Sequence, residues 1–284
     1  MTRRTAARSD TGRVREGNED RFLVREDRGV TLMAVADGVG GGPGGEIAAD
    51  AAVAELAERF FTARREKPIT ERLGEAMREA NTAVLRAAAA SGKTAAASTL
   101  VAAAVRGREA IIANLGDSRA YLVRGGESRQ LTEDHSGALA HGITRFVGDP
   151  RGVQADVFVE DLRRGDRLLL CSDGLTLHVE AAEIANTLST RVATIDDAAD
   201  RLVALANSRG GQDNVTVIIY AAGGRSGWLP VTRGGFAFGI FVALVVLVVA
   251  GAFAALFSLA PPAPAPAPTA APPAEVSPSP SATP

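Results

Sequence analysis

From Phe236 to Ala260 the chain reads FAFGIFVALVVLVVAGAFAALFSLA, with no charge and with Ser258 as the sole polar side chain. About 20 such residues in a helix match the roughly 30 Å hydrocarbon core of a bilayer, and a soluble helix of that length keeps a polar face. The run predicts one transmembrane helix, and its place late in the chain excludes a signal peptide. It predicts four parts: a folded domain over 1–225, a juxtamembrane linker over 226–235, the span over 236–260 and a tail over 261–284. Arg225 and Arg233 precede the span and no Lys or Arg follows it. By the positive-inside tendency the domain faces the cytoplasm and the tail lies outside the cell membrane. The tail holds ten of the chain's 14 prolines, so it cannot bury a core and reads as an extended polyproline spacer.

The formal net charge of −2 over 284 residues lacks the basic excess that a nucleic-acid binder shows. The single cysteine, Cys171, excludes an intramolecular disulfide. Within the domain, short apolar runs recur at 30–36, 98–105, 110–116, 167–172 and 215–220, each bounded by Gly, Asp or Asn. These read as strands. Between the first two lie two helical patterns, one through Leu56 and Phe60 and one through Leu73, Met77, Ala80 and Val84. Two further helices are predicted near 179–190 and 195–208. Helices bunched between strand clusters, instead of alternating with them, point to a layered α+β domain.

The stretch MAVADGVGGGPGGE (33–46) ends an apolar run on an aspartate and follows it with glycines. A phosphate-binding loop would need Lys and Ser or Thr after its glycines; here Glu46 follows, and it would repel phosphate. A turn or a metal site remains. LLLCSDG (168–174) repeats the design, Asp213 stands just before a strand, Asp117 just after one, and Glu19 with Asp20 precede RFLV. One Asp-Gly is a turn signal. Five acidic strand ends in one domain are another matter, because Asp disfavours strands and converging carboxylates repel unless a cation neutralises them. Hard oxygen donors, with three histidines and one cysteine in the whole chain, favour Mg²⁺ or Mn²⁺ over Zn²⁺. Asp37 is placed to bridge two such ions, and glycine at 38 leaves the backbone carbonyl unobstructed.

The motifs RVREGNED, VADGVGG, GDSRAYL, LTEDHS, GDRLLLCSDGL and QDNVTVI occur in that order. The chain thereby resembles, over roughly residues 10–220, the PP2C-like (PPM) family of metal-dependent serine/threonine phosphatases, and its layout resembles the bacterial membrane-anchored type. The resemblance implies an α-β-β-α sandwich of two antiparallel sheets flanked by helices, here followed by the transmembrane helix. It implies two Mn²⁺ or Mg²⁺ ions bridged by Asp37, with the Gly38 carbonyl, Asp173 and Asp213 around the first ion. Glu19 and Asp20 act through bound water, Asn214 supports the ligands, and Asp117 resembles the ligand of a third, weaker ion. Arg15 is the expected phosphate grip, and a metal-activated water the expected nucleophile. Expected substrates are phosphorylated Ser/Thr proteins, membrane Ser/Thr kinases among them; no nucleic acid partner is expected.

Three positions depart from the family pattern. Val39 stands where animal members carry histidine. Leu177 stands where relatives carry an acidic residue. The segment GALAH (137–141) replaces a longer flap, which predicts an open cleft with weak sequence selectivity. His135 and His141 flank that loop, and His141 reads more readily as solvated than as a participant at the metal cleft. Cys171 reads as core packing. The competing reading is a catalytically weakened phosphoprotein-binding module of the same fold.

Overall fold

The apolar runs become strands with both faces covered, which is why they read as continuous instead of alternating. The computed structural model describes residues 4–39, 43–92, 96–137, 142–189 and 194–223. The expected linker, span and tail, the core of the shortened loop and His141 lie outside the described residues. Among the described residues, no helix is long and apolar enough to cross a membrane.

One sheet contains β1 (Thr5–Asp10), β12 (Val215–Ala221), β11 (Arg167–Cys171), β8 (Arg119–Arg124) and β9 (Glu127–Gln130), in that order. The other contains β10 (Asp156–Asp161), β7 (Glu109–Leu115), β6 (Leu100–Arg106), β3 (Val30–Ala36) and β2 (Arg21–Asp27). A two-residue pair, β4 (Gly38–Val39) with β5 (Ala97–Ser98), continues past the end of β3. Every pairing is antiparallel.

The period-2 alternation of side chains sorts the core into three layers. From β3, Leu32 and Ala34 meet Leu56 and Phe60 of α1 (Pro43–Thr62) and Leu73 and Met77 of α2 (Ile69–Ala90). Met33 and Val35 point the other way, against Leu168, Leu170, Ile218 and Tyr220 of the facing sheet. Leu169, Cys171, Val217 and Ile219 then meet Ile184 of α4 (Ala181–Ser189) and Leu202 of α5 (Ile195–Ser208). The result is helix, sheet, sheet, helix. Helix α5 starts on a capping box, in which Thr194 Oγ1 accepts the Asp197 N–H at 3.1 Å and Asp197 Oδ2 accepts the Thr194 N–H at 3.0 Å; such a cap is worth about 1 kcal/mol.

Strand register gathers the acidic ends. Arg21 pairs with Ala36, so Asp20 lies beside Asp37. Cys171 pairs with Val217, which brings the start of α3 (Asp173–Thr176) towards the residues before β12. Leu100 pairs with Leu115, setting Thr99 beside the turn that carries Asp117.

Candidate active site

Asp37 leaves β3 where its backbone is fixed by β5 and the residue after it. Its N–H donates to Thr99 Oγ1 at 3.0 Å, and its carbonyl accepts the Thr99 N–H and the Ser98 hydroxyl, both at 2.8 Å. Thr99 Oγ1 also lies 2.7 Å from Ser118 Oγ, so the loops bearing Asp37 and Asp117 share one buried hydroxyl pair. Asp20 is 3% exposed; its Oδ2 accepts the Ser172 hydroxyl at 2.7 Å, and its N–H donates to Asn18 Oδ1 at 3.0 Å. Ser172 in turn accepts the Thr216 N–H at 3.0 Å. Asp20 is therefore held between two strands of one sheet and the entry to the other.

Asn214 ties the β1–β2 loop to the start of β12. Its Oδ1 accepts the Glu19 N–H at 2.8 Å, and its Nδ2 donates to the carbonyls of Thr11 and Gly17, each at 2.9 Å. On the same loop Arg15, 45% exposed along its side chain, donates to Asp213 Oδ2 at 2.7 Å. A Cβ on Gly38 would lie 2.4–2.8 Å from Gly45 backbone atoms at the start of α1. A Cβ on Gly45 would fall 2.5 Å from Glu19 Oε2 and 3.0 Å from the Gly38 carbonyl oxygen. Glycine at 38 is thus required by backbone-to-backbone packing as well as by access to its carbonyl, and Glu19 reaches the same spot.

The electrostatics mark one coupled cluster. Burial, then the charges of Asp20, Asp173, Asp213 and Asp117, push the Asp37 carboxyl well above the usual range, although Asp37 keeps some solvent contact. Burial is the first cause at Asp20, raised to about 7, with Asp173 and Asp213 adding repulsion. Asp173 is raised to about 6 by burial, then Asp117 and Asp213. Asp117 is raised by burial and by Asp134. Asp20 Oδ1 and Asp173 Oδ1 are buried with no hydrogen-bond partner. An orphaned, buried carboxylate oxygen costs several kcal/mol, and a cation offsets that cost.

Among the described residues, no three His, Cys, Asp or Glu side chains form a ready-made metal cage. The mutual charge coupling and the two orphaned oxygens weigh more, because Mg²⁺-type ions take one or two carboxylates each and keep several waters. The donor set fits such ions: carboxylates, one backbone carbonyl and no sulfur. Cys171 is buried and its thiol is pushed up to about 12, chiefly by burial, so it is no nucleophile.

Sequence reasoning expected these carboxylates together and Arg15 beside them. It did not single out Ser172, Thr99 or Asn18, although Ser172 sits within the quoted CSDG. His135 is 7% exposed; its partners are described below. Leu177 is 52% exposed, one turn after Asp173, whose carbonyl accepts its N–H at 2.8 Å.

Residues 12–214 match the protein family described as Protein phosphatase 2C. The chain belongs to the protein phosphatase 2C family. It is accordingly a serine/threonine protein phosphatase. The serine/threonine phosphatase stp of Listeria innocua is 36% identical over 238 residues, covering 75% of this chain and 93% of that one. The S. agalactiae serine/threonine phosphatase structure superposes with a TM-score of 0.71 at 30% identity, over 76% of this chain and 98% of that chain. The catalytic domain of the phosphatase PstP, solved in complex with 2 manganese ions, gives a TM-score of 0.68 at 33% identity, over 77% and 97% of the two chains.

Proposed function

We propose that this phosphatase works with two divalent cations, Mn²⁺ or Mg²⁺, held at the acidic end of the sandwich. Asp37 bridges them. The Gly38 carbonyl, Asp173 and Asp213 would complete the first site, and Glu19 and Asp20 would contribute through water. When bound, such a pair polarises phosphoryl oxygens and lowers the pKa of water to near neutral. The observation that carries this reading is the set of mutually coupled carboxylates with two orphaned oxygens, Asp20 Oδ1 and Asp173 Oδ1.

The chain's own residues do the positioning. Ser172 holds Asp20 by donating to Oδ2, which leaves Oδ1 without a hydrogen-bond partner. Asn214 fixes the backbone of Glu19 and both flanks of the Arg15 loop. Arg15 moves from Asp213 to the incoming phosphate, where a planar fork matches phosphate oxygens. Its attachment at the exposed rim leaves it free to turn. Cys171 is buried with its thiol pushed up and is no covalent nucleophile; the reaction we propose is direct in-line attack of water on phosphorus. Asp117 would hold a third, weaker ion, to which Leu177, one turn after Asp173, offers no side-chain oxygen.

The run 236–260 anchors the domain in the cell membrane, with residues 1–235 in the cytoplasm and the proline-rich tail outside. Substrates are phosphoserine and phosphothreonine proteins at the bilayer surface, including membrane Ser/Thr kinases. The test is phosphate release from a phosphothreonine peptide with Mn²⁺, with chelator, and by Asp173→Asn. Turnover that is lost with chelator and in the variant supports the reading. Equal turnover in all three arms overturns it.

A further inference from the structure

Asp117 follows Gly116, whose backbone N–H and carbonyl both bond to one histidine, His135. Gly116 adopts φ +110°, and a Cβ there would sit 2.6 Å from Thr99 Cβ, so the residue must be glycine and its backbone must be anchored from outside. The Gly116 N–H donates to His135 Nδ1 at 3.1 Å, and the Gly116 carbonyl accepts the His135 N–H at 3.0 Å. Asn114 Nδ2 donates to the same carbonyl at 3.1 Å. Both backbone polar groups of Gly116 are thus satisfied: the N–H, in the peptide before it, by the His135 ring, and the carbonyl, in the peptide leading to Asp117, by the His135 N–H and by Asn114.

The imidazole is itself locked. With Nδ1 accepting a backbone N–H, Nε2 is turned to the Arg145–Asp156 pair, 2.8 Å from Asp156 Oδ2 and 2.9 Å from Arg145 Nη1. Arg145 pairs with Asp156 through two hydrogen bonds of 2.9 Å each, Nη1 to Oδ2 and Nη2 to Oδ1, and the pair holds the Asp156 carboxyl below its ordinary range. Asp156 opens the edge strand β10 and pairs in register with Asn114, at the same sheet end as the carboxylate cluster. The His135 carbonyl accepts the Thr144 N–H at 2.7 Å and the Thr144 hydroxyl at 3.1 Å.

We propose that His135, oriented by Asp156 and Arg145, is a positioning residue that sets the placement of Asp117 and through it the cation affinity of the acidic cluster. The proposal rests on the divalent-cation reading above. Asp117's charge acts on both Asp37 and Asp173, so a shift of the Gly116–Asp117 peptide changes the field at the residues that hold the cations. This is the arrangement in which a group behind the ligands governs metal affinity without touching the metal.

Two near-isosteric variants separate the atoms. His135→Asn keeps an acceptor near the Nδ1 position and loses the reach to Asp156. His135→Gln keeps a polar group near Nε2 and loses the acceptor for the Gly116 N–H. Mn²⁺ binding is measured by titration calorimetry on the full-length chain, with the wild type as reference and with both variants repeated in the Asp117→Asn background. We expect His135→Gln to weaken Mn²⁺ binding by about 10–100-fold and His135→Asn, which keeps the acceptor and loses only the orientation by Asp156, to weaken it by less than about tenfold. The Gln effect should vanish once Asp117 is Asn, because the two residues act in series. Equal effects of Asn and Gln, no effect of Gln, or an undiminished effect without Asp117 would each overturn the proposal. A wild-type chain that binds no Mn²⁺ removes the underlying cation reading instead, a separately visible result.

Discussion

Stripping the divalent cations should make this fold lose stability as the pH rises from 5 to 8, opposite to the usual behaviour of carboxylates. Asp20 is raised from 3.8 to about 7 and Asp173 from 3.8 to about 6, with burial the first cause in each. Both carboxyls bind protons more tightly in the folded state than in the unfolded one. Their contribution is fully present below about pH 4 and is lost as pH climbs through 6 and 7. Each unit is worth about 1.4 kcal/mol. Between pH 5 and 8 Asp20 accounts for about 3 kcal/mol and Asp173 for about 1 kcal/mol. Carboxylates held low, such as Glu183 at about 2, titrate below this window and do not mask it. For a domain of this size about 4 kcal/mol corresponds to a drop in Tm of roughly 8–16 °C. The assay is thermal unfolding by circular dichroism in chelator across that pH range, repeated with Asp20→Asn and with saturating Mn²⁺. Asp20→Asn should reduce the slope, with Asp37 and Asp173 carrying the remainder, and Mn²⁺ should stabilise more at pH 8 than at pH 5. A flat or rising profile in chelator, or a slope untouched by Asp20→Asn, would refute the coupled-carboxylate account.

Further outcomes follow from single contacts. Ser172→Ala removes the hydroxyl on Asp20 Oδ2 and leaves the Thr216 N–H unpaired; Mn²⁺ affinity should fall about 10–100-fold, read by calorimetry. Arg15→Ala should lower kcat/KM about 10–100-fold, the worth of a charge-assisted bond to phosphate, with Mn²⁺ binding little changed. Gly38→Ala drives a Cβ into the Gly45 backbone, so turnover and Mn²⁺ binding should both collapse while far-UV circular dichroism stays near native. Leu202→Ala, in the layer under α5, should cost about 2–5 kcal/mol by denaturant unfolding and leave kcat per folded molecule unaltered. Across phosphopeptides differing in flanking residues, kcat/KM should vary less than about tenfold, below what one well-formed side-chain pocket achieves.

The sequence carried the strands that are buried on both faces and the helices with an apolar stripe, because those patterns survive without knowledge of partners. Runs 30–36 and 215–220 became β3 and β12 nearly residue for residue. Strands β1 and β9, TAARSD and ESRQ, are mostly polar and half-exposed edges, so their identity comes from the neighbour they pair with and not from their own composition. The acidic strand ends were legible because Asp is out of place there. The hydroxyls of Thr99 and Ser172 were not, since a Ser or Thr beside a turn looks the same whether it caps, solvates or orients a carboxylate. His135 shows the same limit: its meaning depends on Asp156 and Arg145, brought in by the β7–β10 pairing.

The central claim is that the acidic end of the sandwich holds two divalent cations with Asp37 between them. Crystals grown with Mn²⁺ and measured at the manganese absorption edge test it directly. The account predicts two anomalous peaks about 3.5–4 Å apart, flanking the Asp37 carboxylate, with Asp173 and Asp213 on one of them. Peaks absent from this cluster, or manganese bound elsewhere on the domain, would contradict it.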